Sequence, residues 1–383
     1  MTAPKQKKNT RSGVLVCGAY GMGNAGDEAI LEAIVSELRS VDADMPITVM
    51  TRDPAATAQK FGVKAVYTLN PFAFLPAMRR SAVYLNGGGS LIQDVTSSRS
   101  LLYYLFTLRA AKRLGCRVLM YGCGIGPVKK PRNRACAAKV LNRYVDAVTL
   151  RESHSAQTLK EFGVTEPEII LASDPALTLQ SATEEETDAE MTRLGLAPHG
   201  KYICFCMRPW SGFESKAAEL ARAADSACET LGLTPVFISI NHLNDGESAD
   251  AVAERMSAQS IIIRRPLPTP LMLGVMSRMT VCVSMRLHGL IFAAGRCVPS
   301  VGVGYDPKVS AFLDYLGRPR CVSLEDLTAD KLTELIMDAA ADDRESLAAS
   351  VERLKAAERR NTDTVRRMLG LDADDNNLED NKK

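Results

Sequence analysis

Arg286 and His288, in the run Ser284-Met285-Arg286-Leu287-His288, stand where a short apolar segment (281–283) gives way to a helical pattern (289–295). A guanidinium and an imidazole at a helix start suit an anion, because first-turn N–H groups lack intrahelical partners and the helix dipole favours negative charge there. About twenty residues on, after a second apolar segment (299–303), the loop Gly304-Tyr305-Asp306-Pro307-Lys308 offers another cation at another helix start. Arg208 directly follows the strand pattern 202–207, and Arg151 ends the pattern 147–150. Four cations at the carboxyl ends of strands predict a pocket for a small, highly charged anion. Each charge-assisted hydrogen bond to a phosphate or carboxylate is worth roughly 1.5–3 kcal/mol. Of the four histidines, His288 is the one inside the cationic turn, which fits it to be a phosphate ligand or general acid, since a bound phosphate raises an imidazole's pKa.

Two glycine-rich segments fall in the first half. The run from Gly18 to Asp27 spells G-x-G-x-x-G over residues 21–26, as a dinucleotide loop does, with Asp53 after the next strand in the place of a ribose ligand. Asp27 and Glu28, however, would repel a pyrophosphate at the helix start, and the glycines begin three residues late. Two other readings stay open: Asn24, Gly26 and Asp27 facing a neutral hydroxylic ligand such as a sugar, or a structural turn in which Asp27 complements the helix dipole. The second segment, Asn86-Gly87-Gly88-Gly89-Ser90, reads as a strand-to-helix turn where Gly88, Gly89 and Ser90 let a ligand approach the backbone. Tight packing of strand on helix is the alternative there.

Short β-rich runs at 14–18, 47–51, 65–67, 83–86, 118–122, 147–150 and 169–171 alternate with helical stretches such as 27–38, where Ile30, Leu31, Ile34, Val35 and Leu38 form one stripe. The alternation restarts with runs at 202–207, 235–239, 261–263, 281–283, 299–303 and 320–323. It predicts an α/β protein of two Rossmann-like domains, their parallel sheets facing a cleft. Residues 13–190 make the first domain, 191–342 the second, and 343–369 a long helix that packs across both. A basic leader (1–12) and a polar tail (370–383) are expected to be disordered.

The chain's 383 residues favour two domains, and 46% apolar with 24% charged residues is ordinary globular composition. A net charge of +2, with no basic stripe interleaved with aromatics, argues against a nucleic-acid partner. Ten cysteines lie scattered through apolar runs without a C-x-x-C pair, which reads as buried thiols in a reducing compartment rather than disulfides or a metal centre. No apolar run approaches the roughly 20 residues that span a bilayer, and no secretory h-region follows Lys5, Lys7, Lys8 and Arg11. The expectation is a cytoplasmic protein whose leader is either a solvated tail or a peripheral contact with an anionic membrane.

Taken in order, Gly18-Ala-Tyr-Gly-Met-Gly-Asn-Ala-Gly-Asp-Glu-Ala-Ile-Leu31, Asn86-Gly-Gly-Gly-Ser-Leu-Ile-Gln-Asp94, Ser284-Met-Arg-Leu-His288 and Gly304-Tyr-Asp-Pro-Lys308 resemble the polysaccharide pyruvyltransferases, most of all the bacterial cell-wall (CsaB-type) branch. The resemblance implies a glycosyltransferase-B-like fold and transfer of pyruvate from phosphoenolpyruvate to a sugar as a cyclic ketal. In that branch the acceptor is a lipid-linked saccharide containing N-acetylmannosamine, ketalised at its 4- and 6-hydroxyls, and the polymer anchors S-layer proteins. It further implies that Arg208, Arg286 and His288 grip the donor, with Lys308 and Arg151 completing the neutralisation. Phosphoenolpyruvate, with a charge near −3, is the kind of anion the cations call for. His288 is then the candidate acid and Asp27 the candidate base, with phosphoenolpyruvate a co-substrate and no cofactor or metal required. A nucleotide-sugar-dependent glycosyltransferase of the same architecture is the alternative, wanting an aromatic base pocket that the sequence does not place.

Overall fold

The computed structural model describes residues 11–371, so most of the expected leader and tail lie outside the described residues. The first sheet comprises β1 (Val14–Cys17), β2 (Ile47–Thr51), β3 (Lys64–Tyr67), β4 (Val83–Ile92), β5 (Arg117–Ile125), β6 (Ala147–Leu150) and β7 (Glu168–Leu171). Every pairing is parallel, in the order β3-β2-β1-β4-β5-β6-β7. Helices α1 (Ala25–Val41), α2 (Pro54–Phe61), α3 (Pro71–Arg80), α4 (Ser98–Arg113), α5 (Pro131–Tyr144) and α6 (Ser153–Glu161) connect these strands. The second sheet is also all parallel, in the order β10-β9-β8-β11-β12-β13. Its strands are β8 (Tyr202–Cys206), β9 (Thr234–Ile238), β10 (Ile261–Ile263), β11 (Met279–Ser284), β12 (Ser300–Gly304) and β13 (Cys321–Ser323). Between the sheets runs α7 (Glu184–Arg193), and α8 (Phe213–Leu231), α9 (Gly246–Ala253), α10 (Thr269–Ser277), α11 (Leu287–Gly295), α12 (Pro307–Leu316) and α13 (Ala329–Ala340) follow the later strands. Each of the thirteen strands overlaps an apolar run of the sequence; the central ones are largely buried, as parallel strands covered on both faces must be, while the edge strands β3 and β7 are partly exposed.

Residue 190 falls inside α7, which packs on α10 beside the second sheet. The last helix, α14 (Arg344–Leu369), starts where Arg344 donates to the carbonyls of Cys297 and Thr280 and ends where Arg117 donates to those of Arg367 and Met368. It thereby touches both halves. α11 is buried on every side, as a helix without a charged face must be.

One segment departs from its sequence reading. Residues 86–90 are not a turn: β4 continues through the glycines, with Gly87 and Gly89 opposite Tyr121 and Cys123 of β5. A Cβ on Gly87 would lie 2.4 Å from the Tyr20 hydroxyl, and one on Gly88, at φ +65°, 2.2 Å from Ile30. The glycines let β1's loop and α1 press onto the strand. That is the packing alternative, at these two positions.

Candidate active site

The carboxyl ends of both sheets open into one cleft of about 830 Å³. From the first half come Asn24, Asp27, Gly89, Ser90 and Arg151; from the second, Arg208, Arg286, His288, Tyr305 and Lys308. The four cations and the histidine, far apart in sequence, therefore share a single pocket. Gly26 and Gly88 do not line it. Gly88 backs onto Ile30, and Gly26, the second residue of α1, lies against His288, where a Cβ would come within 2.0 Å of the ring Nδ1. The bare helix start admits an imidazole from the opposite domain. Backbone bonds lock this junction: the Ala25 N–H donates to the Ile240 carbonyl at 2.8 Å, and Asn24 bridges Asn241.

Asp27 sits at the third position of α1, where it accepts a hydrogen bond of 2.7 Å from the Asn24 amide; the Asn24 carbonyl oxygen caps the Gly26 N–H at 3.0 Å. Burial, reinforced by Glu28, pushes the Asp27 pKa up to about 7, against the pull of Arg151 and Arg286. Glu28 itself turns back to accept from the Gly21 N–H at 2.6 Å. The glycine loop is thus closed by a carboxylate of its own.

The cations differ from their sequence reading in one respect: three have acidic partners. Arg151, 4% exposed, donates to Asp174 at 3.1 Å and to Ser90 Oγ at 3.0 Å. Arg286 grips Asp245 through Nε and Nη2, with Nε at 3.1 and 3.2 Å, and Lys308 lies 3.4 Å from Asp306. Unpaired charges at this depth would be costly, so the fold supplies carboxylates in place of a ligand. Among the described residues Arg208 has no carboxylate partner. It bonds the Tyr305 hydroxyl and lies 4.9 Å from the Trp210 ring centroid and 4.4 Å from that of Tyr305. Of the four cations that the sequence singled out, Arg208 is the one without an acid; Arg52 and Arg99, which also line the cleft, have no carboxylate partner among the described residues either.

His288 Nε2 is buried without a hydrogen-bond partner, 3.8 Å from Asp174. Burial pushes its pKa down to about 4, with Arg151, Lys308 and Arg286 adding to the effect and Asp174 opposing it. Without ligand the imidazole is neutral, so a proton on it must arrive with an anion. Asp174, Asp245, Tyr305 and Trp210 are the contributors that sequence reasoning missed. A signal for Asp174 existed: Asp174-Pro175 follows β7 as Asp306-Pro307 follows β12, and each Asp caps a turn that begins with proline. Asp245 had none, since only folding brings it under Arg286.

The cysteines also depart from the scattered picture. The Cys204, Cys206 and Cys282 sulfurs lie within 4.8 Å of one another, buried beneath this turn. Hydrogen bonds from Cys204 and Cys282 pull the Cys206 thiol down.

The sequence profile of the family described as polysaccharide pyruvyl transferase matches residues 24–307, from the start of α1 to the loop that carries Lys308. The chain belongs to that family. As a polysaccharide pyruvyl transferase it is similar to the amylovoran biosynthesis protein AmsJ of Erwinia amylovora, at 21% identity over 81% of this chain and 87% of that protein. Among solved structures, the transferase resembles the UDP-GlcNAc 2-epimerase of Neisseria meningitidis bound to UDP-GlcNAc, with a TM-score of 0.62 and 12% identity over 92% of this chain and 99% of that one. It also resembles a glycosyltransferase of Rickettsia africae, with a TM-score of 0.60 and 12% identity over 94% and 99% of the two chains. At such identities the likeness is one of fold: two parallel-sheet α/β domains in the glycosyltransferase-B arrangement.

Proposed function

We propose that this transferase moves the pyruvyl group of phosphoenolpyruvate onto a lipid-linked cell-wall saccharide as a 4,6-ketal of N-acetylmannosamine, releasing phosphate. The observation that carries the reading is the single cleft in which Arg208, Arg286, His288 and Lys308 oppose Asp27, Asn24 and Ser90. An anion and a polyol fit opposite walls of such a cleft. The second-domain cations hold the donor's phosphate and carboxylate, Arg208 first because nothing acidic competes for it. The buried Arg151–Asp174 pair is a support, and its part in neutralising the donor is smaller than its charge suggests.

Chemically, an acceptor hydroxyl adds to C2 of phosphoenolpyruvate, its proton passing to Asp27, while the methylene carbon takes a proton from His288 and becomes a methyl group. Phosphate then leaves C2, and the second hydroxyl closes the ketal as its proton is taken up by the departing phosphate. Binding a ligand of charge near −3 offsets the cations that keep His288 neutral, and so lets it carry the proton it must give. Asp27, near 7 without ligand, is ionised enough at neutral pH to accept one. The guanidiniums stabilise charge as it grows on the leaving phosphate.

The alternative, glycosyl transfer from a nucleotide sugar, gains one observation. Trp210 and Tyr305, with ring centroids 4.6 Å apart, line a second cavity beside the cleft and supply an aromatic wall that the sequence did not reveal. One experiment separates the two. The purified protein is incubated with phosphoenolpyruvate and a lipid-linked saccharide ending in N-acetylmannosamine, following inorganic phosphate release and the saccharide's mass. Equimolar phosphate and pyruvylated saccharide support the proposal. No turnover with phosphoenolpyruvate but glycosyl transfer from a UDP-sugar refutes it.

A further inference from the structure

The outer helices of the first domain carry a charge pattern that the cleft chemistry does not use. Residues 71–145 hold thirteen Lys or Arg and one acid, Asp94, in a chain of net charge +2, so the remaining residues carry a net −10. Ten of those bases lie in α3, α4 and α5, which contain no Asp or Glu. The three helices form one layer: α4 packs on both α3 and α5, and Met78, Leu105 and Leu141 enter the same core. Among the described residues, Lys112, with Asp146, is the one of the ten that has a carboxylate within 4.0 Å. Arg109, Arg113 and Arg143 gather instead around the Tyr144 ring, at 5.9, 5.7 and 5.7 Å from its centroid. Like charges held together without an acid leave a strong positive potential on this face.

The same face exposes large apolar side chains. Phe72, at the start of α3, is 90% exposed, Leu69 49%, and Leu102 and Phe106 each 48%. Along α4 the exposed residues Arg99, Leu102, Phe106, Arg109 and Arg113 recur every three or four positions and form one stripe of bases and apolar groups. Leu69 and Arg99 also line the cleft, so the stripe runs up to its mouth.

We infer that the α3–α4–α5 face docks on an anionic phospholipid bilayer. Basic residues mixed with exposed Phe and Leu are the composition of surfaces that rest in a lipid headgroup layer, the bases drawn to anionic lipid and the apolar side chains entering the acyl boundary. Charge complementarity names the occupant, since a surface this basic would repel a second copy of itself. The inference deepens the proposed function, resting on it only for the sense of the placement: a lipid-carried saccharide would reach the cleft from the surface on which the protein sits.

Co-sedimentation of the full chain with vesicles of phosphatidylglycerol and phosphatidylethanolamine, and with vesicles of phosphatidylcholine alone, at low and high salt, tests it. Binding to the anionic vesicles that weakens with salt is expected, and little to phosphatidylcholine. The triple variant Arg109→Gln/Arg113→Gln/Arg143→Gln should lose about tenfold or more of the partitioning, and Phe72→Ser/Leu102→Ser/Phe106→Ser a comparable amount. Lys355→Gln/Arg359→Gln on α14 should change it little. Unchanged partitioning in both triple variants, or absent binding to anionic vesicles, overturns the inference. So does light scattering that shows a dimer which the apolar triple variant dissolves. Pyruvyl transfer to a lipid-free saccharide separates the two proposals: if the triple variants keep that turnover but leave the vesicles, docking stands on its own. If wild type binds vesicles but never releases phosphate from phosphoenolpyruvate, the reaction assignment fails and docking survives.

Discussion

Substituting Gly26 by alanine puts two physical effects in opposition. Gly26 is the second residue of α1 and has ordinary helical backbone, so helix propensity alone favours alanine there by up to about 1 kcal/mol. The structure predicts the opposite sign. An added Cβ would stand 2.0 Å from Nδ1 and 2.3 Å from Cγ of His288, where carbon contacts settle at about 3.5 Å or more, so α1 and the imidazole must part by roughly 1.5 Å. His288 cannot give way cheaply, being buried, with the Phe292 ring centroid 6.0 Å from its own. Overpacking of this kind costs about 1–3 kcal/mol, leaving Gly26→Ala net destabilised by up to about 2 kcal/mol in urea-induced unfolding. Activity should suffer more. Misplacing a proton donor by about 1 Å costs on the order of 100-fold, read as kcat/KM for phosphate release from phosphoenolpyruvate. A Gly26→Ala protein more stable than wild type and fully active would show that α1 does not meet His288, and the arrangement of both walls of the cleft would be wrong.

The wild type should show an acidic limb of kcat/KM near pH 7, where the Asp27 carboxyl ionises, and Asp27→Asn should remove it and lower the plateau about 100- to 10,000-fold; a limb that persists would clear Asp27 of the base's role. Arg208→Gln should raise KM for phosphoenolpyruvate about 10- to 150-fold and leave that for the saccharide near its wild-type value, which steady-state kinetics with each substrate varied would read. Asp174→Asn leaves Arg151 buried without its carboxylate and should cost about 3–5 kcal/mol in chemical denaturation, far beyond the effect of an exposed ion pair. Glu358, buried on α14, is pushed up to about 8 by burial, with Glu37 and Asp174 adding to it, whereas the unfolded chain ionises near 4.5. The folded state binds its proton more tightly, so stability is full below the unfolded value and falls as pH rises through 8, by a few kcal/mol. Glu358→Gln should flatten that decline in thermal unfolding between pH 5 and 9, and an unchanged slope would count against a protonated Glu358.

The strands were legible because a parallel sheet covered on both sides admits few polar residues, and their carboxyl ends located Arg151, Arg208, Arg286 and Lys308 without any knowledge of the domains' placement. Gly26 and Gly88 were misjudged for a physical reason. A glycine signals close approach and not what approaches: here it is His288 and Ile30, elsewhere a phosphate or a sugar. The segment 86–90 looked like a turn because glycines usually interrupt strands, yet β5 pairs with them and α1 fills the space that their missing side chains leave. Asp245 was illegible, since its meaning depends on Arg286, a residue of another strand's loop.

The paired carboxylates alter how the cleft should be understood. Four bare cations would bind any phosphate, and would be destabilising whenever the site stood empty. With Asp174 on Arg151, Asp245 on Arg286 and Asp306 beside Lys308, each side chain is held in place before a ligand comes, and the net positive field is modest. Asp245 shows how far this reaches: it also accepts from the Asn241 N–H at 2.8 Å, and Asn241 bridges Asn24 at the head of α1. The chain Arg286–Asp245–Asn241–Asn24 thus ties a cation of the second domain to the helix that presents Asp27. Selectivity then lies in geometry more than in charge: a ligand must satisfy Arg208, which has no acid of its own, and the remaining free faces of Arg286 and Lys308 together. An anion with two charged groups a few ångströms apart can do so, while inorganic phosphate, with one, must leave part of the array unmet, which under the proposed reaction favours its release as product.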